Sequence, residues 1–355
     1  MLETHNRSFG LDLVRALAIT FVIVAHFARF FDPLGYWGVE LFFGLSGFLI
    51  GQILWRNFSG TDNWTLKHMF NFWSRRWWRT LPNYYLFFVV SLVFYAYVDG
   101  SLPSISSLLR FVFFGQYLLN HEWGFYGISW SLCIEEWFYL SFPLLLFTLR
   151  KTGLKPSTSF SISIALFFIA SVFLRKFLIS IGQQESLRTI TFARLDSITC
   201  GVTVAYINTV LKPALTVKRA GFVIGIVLLL TPLAVVAVTG TPFERLYNNS
   251  VLLFLLPLGA SLILPFVSLL NSSSIMYGYL SKVVEKISLW SYSIYLSHIP
   301  LMWSIYYLLD GFRANPYGNL ISKVVALAIT VTASALIFKY WETPITRFRP
   351  KELKS

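Results

Sequence analysis

In 355 residues, hydrophobic types supply 56% and aromatics 18%, while charged residues supply only 13%, about half the share usual in soluble domains. So little polar surface cannot cover a soluble globule, which excludes a soluble enzyme and a disordered chain, and the two cysteines, Cys133 and Cys200, lie in apolar stretches and do not form a disulfide scaffold. The 29 Lys and Arg against 16 Asp and Glu would suit a nucleic-acid partner, but they sit mostly between apolar windows, so no such partner is expected.

Apolar windows of about 20 residues, each enough to cross a bilayer, recur near 14–31, 36–55, 82–98, 130–149, 158–180, 193–210, 220–239, 250–270, 287–309 and 319–339. The expectation is an all-α polytopic bundle of about ten spans, one membrane-embedded domain over 1–355 with an uncleaved first anchor and no appended soluble domain. With the N-terminus inside, twenty of the 29 basic residues fall in cytoplasmic segments, so the positive-inside rule puts both termini in the cytoplasm. The segment 108–128 is too short in its apolar part to span and reads as a re-entrant or interfacial piece. No internal repeat is visible, which weakens a transporter built from inverted repeats.

Ionisable residues inside spans cost several kcal/mol unless they face protein or water, so they mark candidate sites. The first span, LDLVRALAITFVIVAHFARF, carries Asp12, Arg15, His26 and Arg29. Arg15 and His26 are eleven residues apart, close to three helical turns, so they share a face about 16 Å apart along the axis. One reading is a functional polar stripe; the other is an Arg15 that snorkels to the headgroups and a His26 satisfied in the interior. The second span adds Glu40, together with Gly44, Ser46, Gly47 and Gly51; glycines so spaced point first to close helix packing.

Next comes FWSRRWWRTLP, where Arg75, Arg76 and Arg79 alternate with Trp73, Trp77 and Trp78. Trp anchoring and attraction to anionic lipid explain it; three guanidiniums within two turns also suit a phosphate site. The fourth span opens with SWSLCIEEWFYLSFP, and its spacing puts Ser131, Glu135 and Tyr139 on one helical face, with Glu136 beside them. Arg194 and Asp196 in FARLDSITCG read most simply as ion-pair or helix-end charges, while the ninth span holds Tyr295 and His298 three apart.

Taken together, LDLVRALAITFVIVAHF, GVELFFGLSGFLI, FWSRRWWRTLPNYYL, WSLCIEEWFYLSFPLLL, RLDSITCG, SYSIYLSHIPL and the terminal WETP resemble, in order and across nearly the whole chain, the acyltransferase 3 family of integral membrane acyltransferases. Trp137 departs from a position where glutamine is common, and the extra extracytoplasmic domain of some members is not seen. The resemblance implies O-acylation of a surface polysaccharide or related acceptor, with acetyl-CoA or another acyl-CoA as donor and no metal. It maps the family's essential histidine on His26, as general base, and its partner arginine on Arg15, on the donor side. It also raises Arg75, Arg76 and Arg79 to binders of CoA phosphates. Glu135 becomes a site residue orienting a histidine or the acceptor, or else a structural ion pair; Glu136, His298, Glu40 and Asp12 are further candidates. The implied partners are the lipid bilayer, a carbohydrate or glycolipid acceptor and a separate extracytoplasmic protein that completes transfer, and the implied location is a bacterial inner membrane. A proton-coupled transporter or flippase using the same His, Glu and Arg residues is the alternative.

Overall fold

The structure, a computed structural model, describes residues 8–61, 64–118, 124–271 and 278–353. The described residues form helices α1 (Phe9–Phe27), α2 (Leu34–Ser59), α3 (Leu66–Asp99), α4 (Ile105–Val112), α5 (Trp130–Lys151), α6 (Pro156–Ser180) and α7 (Leu195–Val210). They continue with α8 (Leu215–Thr239), α9 (Leu252–Leu262), α10 (Leu264–Val267), α11 (Gly278–Leu308), α12 (Pro316–Ile337) and α13 (Thr343–Thr346), and no strand occurs among them. The protein is an all-α polytopic membrane protein. Among the described residues, seven helices are long and apolar enough to cross a bilayer: α1, α2, α3, α5, α6, α8 and the run from α12 to Thr346. The remaining expected spans coincide with helices that are shorter or more polar: α7 has 16 residues, the 250–270 window is split into α9 and α10 around Ile263, and α11 carries Ser, Tyr and His along its length.

α2 is the central helix, most of its surface buried against α1, α7 and α9. It can sit there because its interface residues are small. A Cβ on Gly47 would stand 2.1 Å from the Ile198 carbonyl oxygen, and one on Gly201 would stand 2.3 Å from the Gly44 oxygen, so α2 and α7 touch backbone to backbone. On one side of α2 an aromatic core of Phe43, Phe87, Phe138 and Phe142 packs α3, α5 and α6; on the other, Leu45, Leu253 and Leu256 pack α7 and α9. α8 and α12 lie outermost and present Val223, Val227, Leu230, Leu320, Val324 and Leu336 outward, as expected where the solvent is lipid tails.

One feature differs from the sequence reading. α3 runs unbroken for 34 residues through Pro82, so the arginine-rich stretch and the third span are one rod rather than a surface helix followed by a span. Such a proline is tolerated in a membrane helix where neighbouring groups satisfy the freed backbone. In the segment 108–128, expected to be re-entrant or interfacial, α4 leads into irregular chain pinned by the Tyr84 and Tyr85 hydroxyls, which donate to the Phe111 and Val112 carbonyls at 2.6 and 2.9 Å, and by the Trp137 indole, which donates to Phe114 at 2.9 Å. Residues 119–123 lie outside the described residues.

Two buried ion pairs cross-link the centre. Arg194 grips both oxygens of Glu40 at 2.6 and 2.7 Å and donates to the Leu253 carbonyl at 2.6 Å. Arg175 grips Asp196 at 2.6 Å and donates to the Ala193 carbonyl at 2.7 Å. Arg194 and Asp196 are thus partnered with other helices, not with each other, and Glu40 is engaged in holding α2 to α7.

Candidate active site

α1 and α11 lie side by side, and α11 meets both ends of the polar stripe of α1. At one end Arg15 Nη1 donates to Asp12 Oδ1 and to Ser288 Oγ, each at 3.2 Å, while the Ser288 hydroxyl donates to the same Asp12 oxygen at 2.7 Å. Asp12 therefore orients Arg15. At the other end the His26 ring meets the His298 ring edge-on, centroids 4.8 Å apart. The helical spacing brings Arg15 and His26 to one neighbour at two depths.

The tautomers follow from the partners. His26 Nδ1 lies 2.8 Å from the Val22 carbonyl, which can only accept, so Nδ1 carries the proton and Nε2 keeps its lone pair in the neutral ring. His298 Nδ1 likewise donates to the Tyr295 carbonyl at 2.7 Å, and its Nε2 is buried without a hydrogen-bond partner. His26 keeps part of its surface exposed at the end of α1. A histidine held through Nδ1 with the lone pair left on Nε2 is built as a proton acceptor.

A cavity of about 920 Å³, counting the open space at its mouth, lies between α1, α2, α3, α5 and α11. Arg15, Arg76 and Arg79 line it on the side of the Asp12 end, and Ser131 and Tyr295 line its inner part. Ser131, Glu135 and Tyr139 all face it, as their four-residue spacing predicts. Within it the Ser46 and Tyr139 hydroxyls pair at 2.5 Å, and the Tyr139 hydroxyl donates to Glu135 Oε2 at 3.3 Å, so the three form one chain. Ser131 and Tyr295 pair through their hydroxyls at 2.6 Å. The Tyr295 ring in turn lies 5.9 Å from that of His298, so one layer of side chains separates the cavity from the histidine pair.

The neighbouring candidates part company. Glu136 turns away from Glu135 and accepts from the Thr80 hydroxyl at 2.8 Å. Arg75 points out of the cavity, donating to the Pro350 carbonyl at 2.7 Å and approaching Glu352 at 3.4 Å, so it ties α3 to the C-terminal segment. No carboxylate among the described residues pairs with Arg76 or Arg79. Glu342 accepts from Asn83 and Ser293, both at 2.8 Å, and joins the end of α12 to α3 and α11. Among the described residues no group of three or more His, Cys, Asp or Glu could hold a metal ion.

One residue near His26 is invisible to periodicity. Arg188, in the loop between α6 and α7, reaches the Gly35 carbonyl beside the end of α1, and its charge, like that of Asp32, acts on His26.

Residues 8–339 match the family described as "Acyltransferase domain". The chain belongs to this family. It is similar to a peptidoglycan O-acetyltransferase of Listeria monocytogenes, 26% identical over 95% of this chain and 56% of that protein. It is equally similar to a Staphylococcus aureus (strain COL) protein named putative O-acetyltransferase, 26% identical over 98% of this chain and 58% of that one. A Bacillus subtilis protein named putative peptidoglycan O-acetyltransferase is 32% identical over 41% of this chain and 24% of its own length. The chain thus spans a little over half the length of the first two relatives. No solved structure matches it.

Proposed function

We propose that this membrane acyltransferase moves an acyl group, acetyl by preference, from cytoplasmic acyl-CoA to a hydroxyl of a carbohydrate acceptor presented at the outer face of a bacterial inner membrane. The observation that carries this reading is His26: its Nδ1–H is committed to the Val22 carbonyl, and its Nε2 is left to take a proton. The names of the relatives, O-acetyltransferases and peptidoglycan O-acetyltransferases, support a glycan as acceptor and acetyl as the group moved.

In this reaction the acceptor oxygen attacks the thioester carbonyl carbon while His26 Nε2 takes the hydroxyl proton. The tetrahedral intermediate then expels the CoA sulfur, and the proton leaves with it as the thiol. Arg76 and Arg79, without carboxylate partners, suit the CoA phosphates, as guanidiniums bind phosphate oxygens bidentately. Arg15, oriented by Asp12, lines the same end of the cavity and suits the donor there as well. The Ser131 and Tyr295 hydroxyls line the inner part of the cavity, on the side of the His26 and His298 pair, and suit hydrogen bonding along the donor's arm. The hydroxyl chain ending on Glu135 supports an orienting role for that carboxylate rather than an ion pair.

The test is mass spectrometry of surface glycans from cells with and without the protein, paired with acetyl-CoA hydrolysis or exchange by purified protein. An acetyl increment that depends on the protein is expected. Unchanged glycans together with no acetyl-CoA turnover would favour the transporter or flippase.

A further inference from the structure

Outside the donor cavity the described residues hold two fully buried arginines, Arg175 and Arg194, and a partly buried one, Arg188, that is unlike them. Arg175 and Arg194 each spend one side-chain nitrogen on a carboxylate and another on a carbonyl. Arg188 has no carboxylate within ion-pair distance among the described residues; its guanidinium makes a single 3.4 Å bond, from Nη2 to the Gly35 carbonyl, and its Nε is buried with no partner. Five donors with one long bond is a poorly satisfied guanidinium. What holds the charge is aromatic: its central carbon stands 4.7, 5.2 and 5.4 Å from the ring centroids of Tyr36, Tyr247 and Trp130. Ring faces attract a cation without consuming its N–H donors, whereas an ion pair would use them. Two acidic groups of this region are engaged elsewhere, Glu40 by Arg194 and Asp32 by the Tyr247 hydroxyl at 3.0 Å. The backbone is fixed as well, since the Asn248 side chain accepts from the Arg188 N–H at 2.9 Å.

We infer that Arg188, in its cage of Tyr36, Trp130 and Tyr247, is the acceptor-side anion site: it takes an anionic group of the glycan and so brings a neighbouring hydroxyl to His26. This rests on the proposed transfer to a glycan and adds a class to the acceptor, a carbohydrate bearing a carboxylate or a phosphate. The site lies at the His26 end of α1, away from Arg15, Arg76 and Arg79, so it does not duplicate the donor grip.

The experiment reads binding without donor. Detergent-purified protein is titrated with N-acetylglucosamine, N-acetylmuramic acid and N-acetylglucosamine 1-phosphate, which are neutral, carboxylate-bearing and phosphate-bearing, and tryptophan fluorescence is followed. At least one anionic sugar should bind about ten- to a hundredfold more tightly than the neutral one, the gain of one charge-assisted bond; which one wins names the anion. Arg188→Gln should erase the difference and leave the neutral sugar unchanged, while Arg188→Lys, which keeps a cation in the cage, should retain part of it. Equal affinities for all three sugars, absence of any binding, or a preference that survives Arg188→Gln in a monodisperse protein overturns the site. The result is separable from the functional reading: wild-type protein that prefers the anionic sugar yet moves no acetyl group keeps the site and refutes the transfer.

Discussion

The rings of His26 and His298 meet edge-on, centroids 4.8 Å apart and planes at 65°, and each donates its Nδ1–H to a backbone carbonyl of its own helix. Both Nε2 atoms therefore carry lone pairs, and that of His298 has no other partner. His298 packs edge-on against the ring that takes the proton and holds it in place. His26→Ala should cost about a hundred- to ten-thousandfold in transfer while leaving acetyl-CoA affinity near its native value. His298→Phe keeps an aromatic edge against His26 but removes both ring nitrogens, and should lower transfer by less than His26→Ala does. Full transfer in a well-expressed His26→Ala protein, measured in membranes, would remove the base.

The three arginines of α3 should separate in a binding assay because they separate in space. Arg76 and Arg79 line the cavity, so Ala at either should weaken acetyl-CoA by about ten- to a hundredfold, read by calorimetry on purified protein. Arg75 is committed to Pro350 and Glu352, so Arg75→Ala should leave donor affinity nearly unchanged and free the C-terminal segment, detectable as faster proteolysis after Phe348. Equal losses at all three positions would contradict this division.

This division also marks where reading the sequence stops. The period of 3.6 residues is enough to put Arg15 with His26, and Ser131 with Glu135 and Tyr139, on single faces, and the structure turns those faces to α11 and to the cavity. It predicts a cluster for Arg75, Arg76 and Arg79 but does not say that a C-terminal carboxylate takes one of them, since that contact spans 277 residues of chain. Glu40 and Arg194, 154 residues apart, are paired by the glycine-lined approach of α2 and α7. Arg188 lies in a loop, where no period exists, and only the rings gathered around it distinguish it.

The Glu40 to Arg194 pair makes a stability prediction. Both side chains are fully buried, so removing one leaves an uncompensated charge, a loss of about 3–5 kcal/mol. Glu40→Ala should reduce the yield of monodisperse protein and its thermal midpoint, and Glu40→Ala with Arg194→Leu should recover part of both. A single variant as stable as wild type would show that the charge finds water or another partner.

Topology is testable in the same preparations. If the basic segments are cytoplasmic, a reporter fused after Ser355 should be inside, and a cysteine replacing the exposed Gln184, in the Arg188 loop, should react with impermeant reagent added outside. Protection of that cysteine would put the anion site on the donor side and undo its assignment to the acceptor.

Arg15 offers the sharpest test of a donor role, because its fixed geometry distinguishes a guanidinium from a mere charge. Asp12 and Ser288 hold Nη1, and the side chain lines the cavity. Arg15→Lys retains the charge but loses the planar fork, so it should bind acetyl-CoA between wild type and Arg15→Ala, with transfer following affinity. Asp12→Asn should weaken the donor less than Arg15→Ala, since it loosens the arginine without deleting it. The comparison with His26→Ala completes the argument: a loss of donor affinity confined to the Arg15 series assigns the two ends of α1 to different substrates. An equal loss in His26→Ala would mean that the stripe holds α1 against α11 and nothing more.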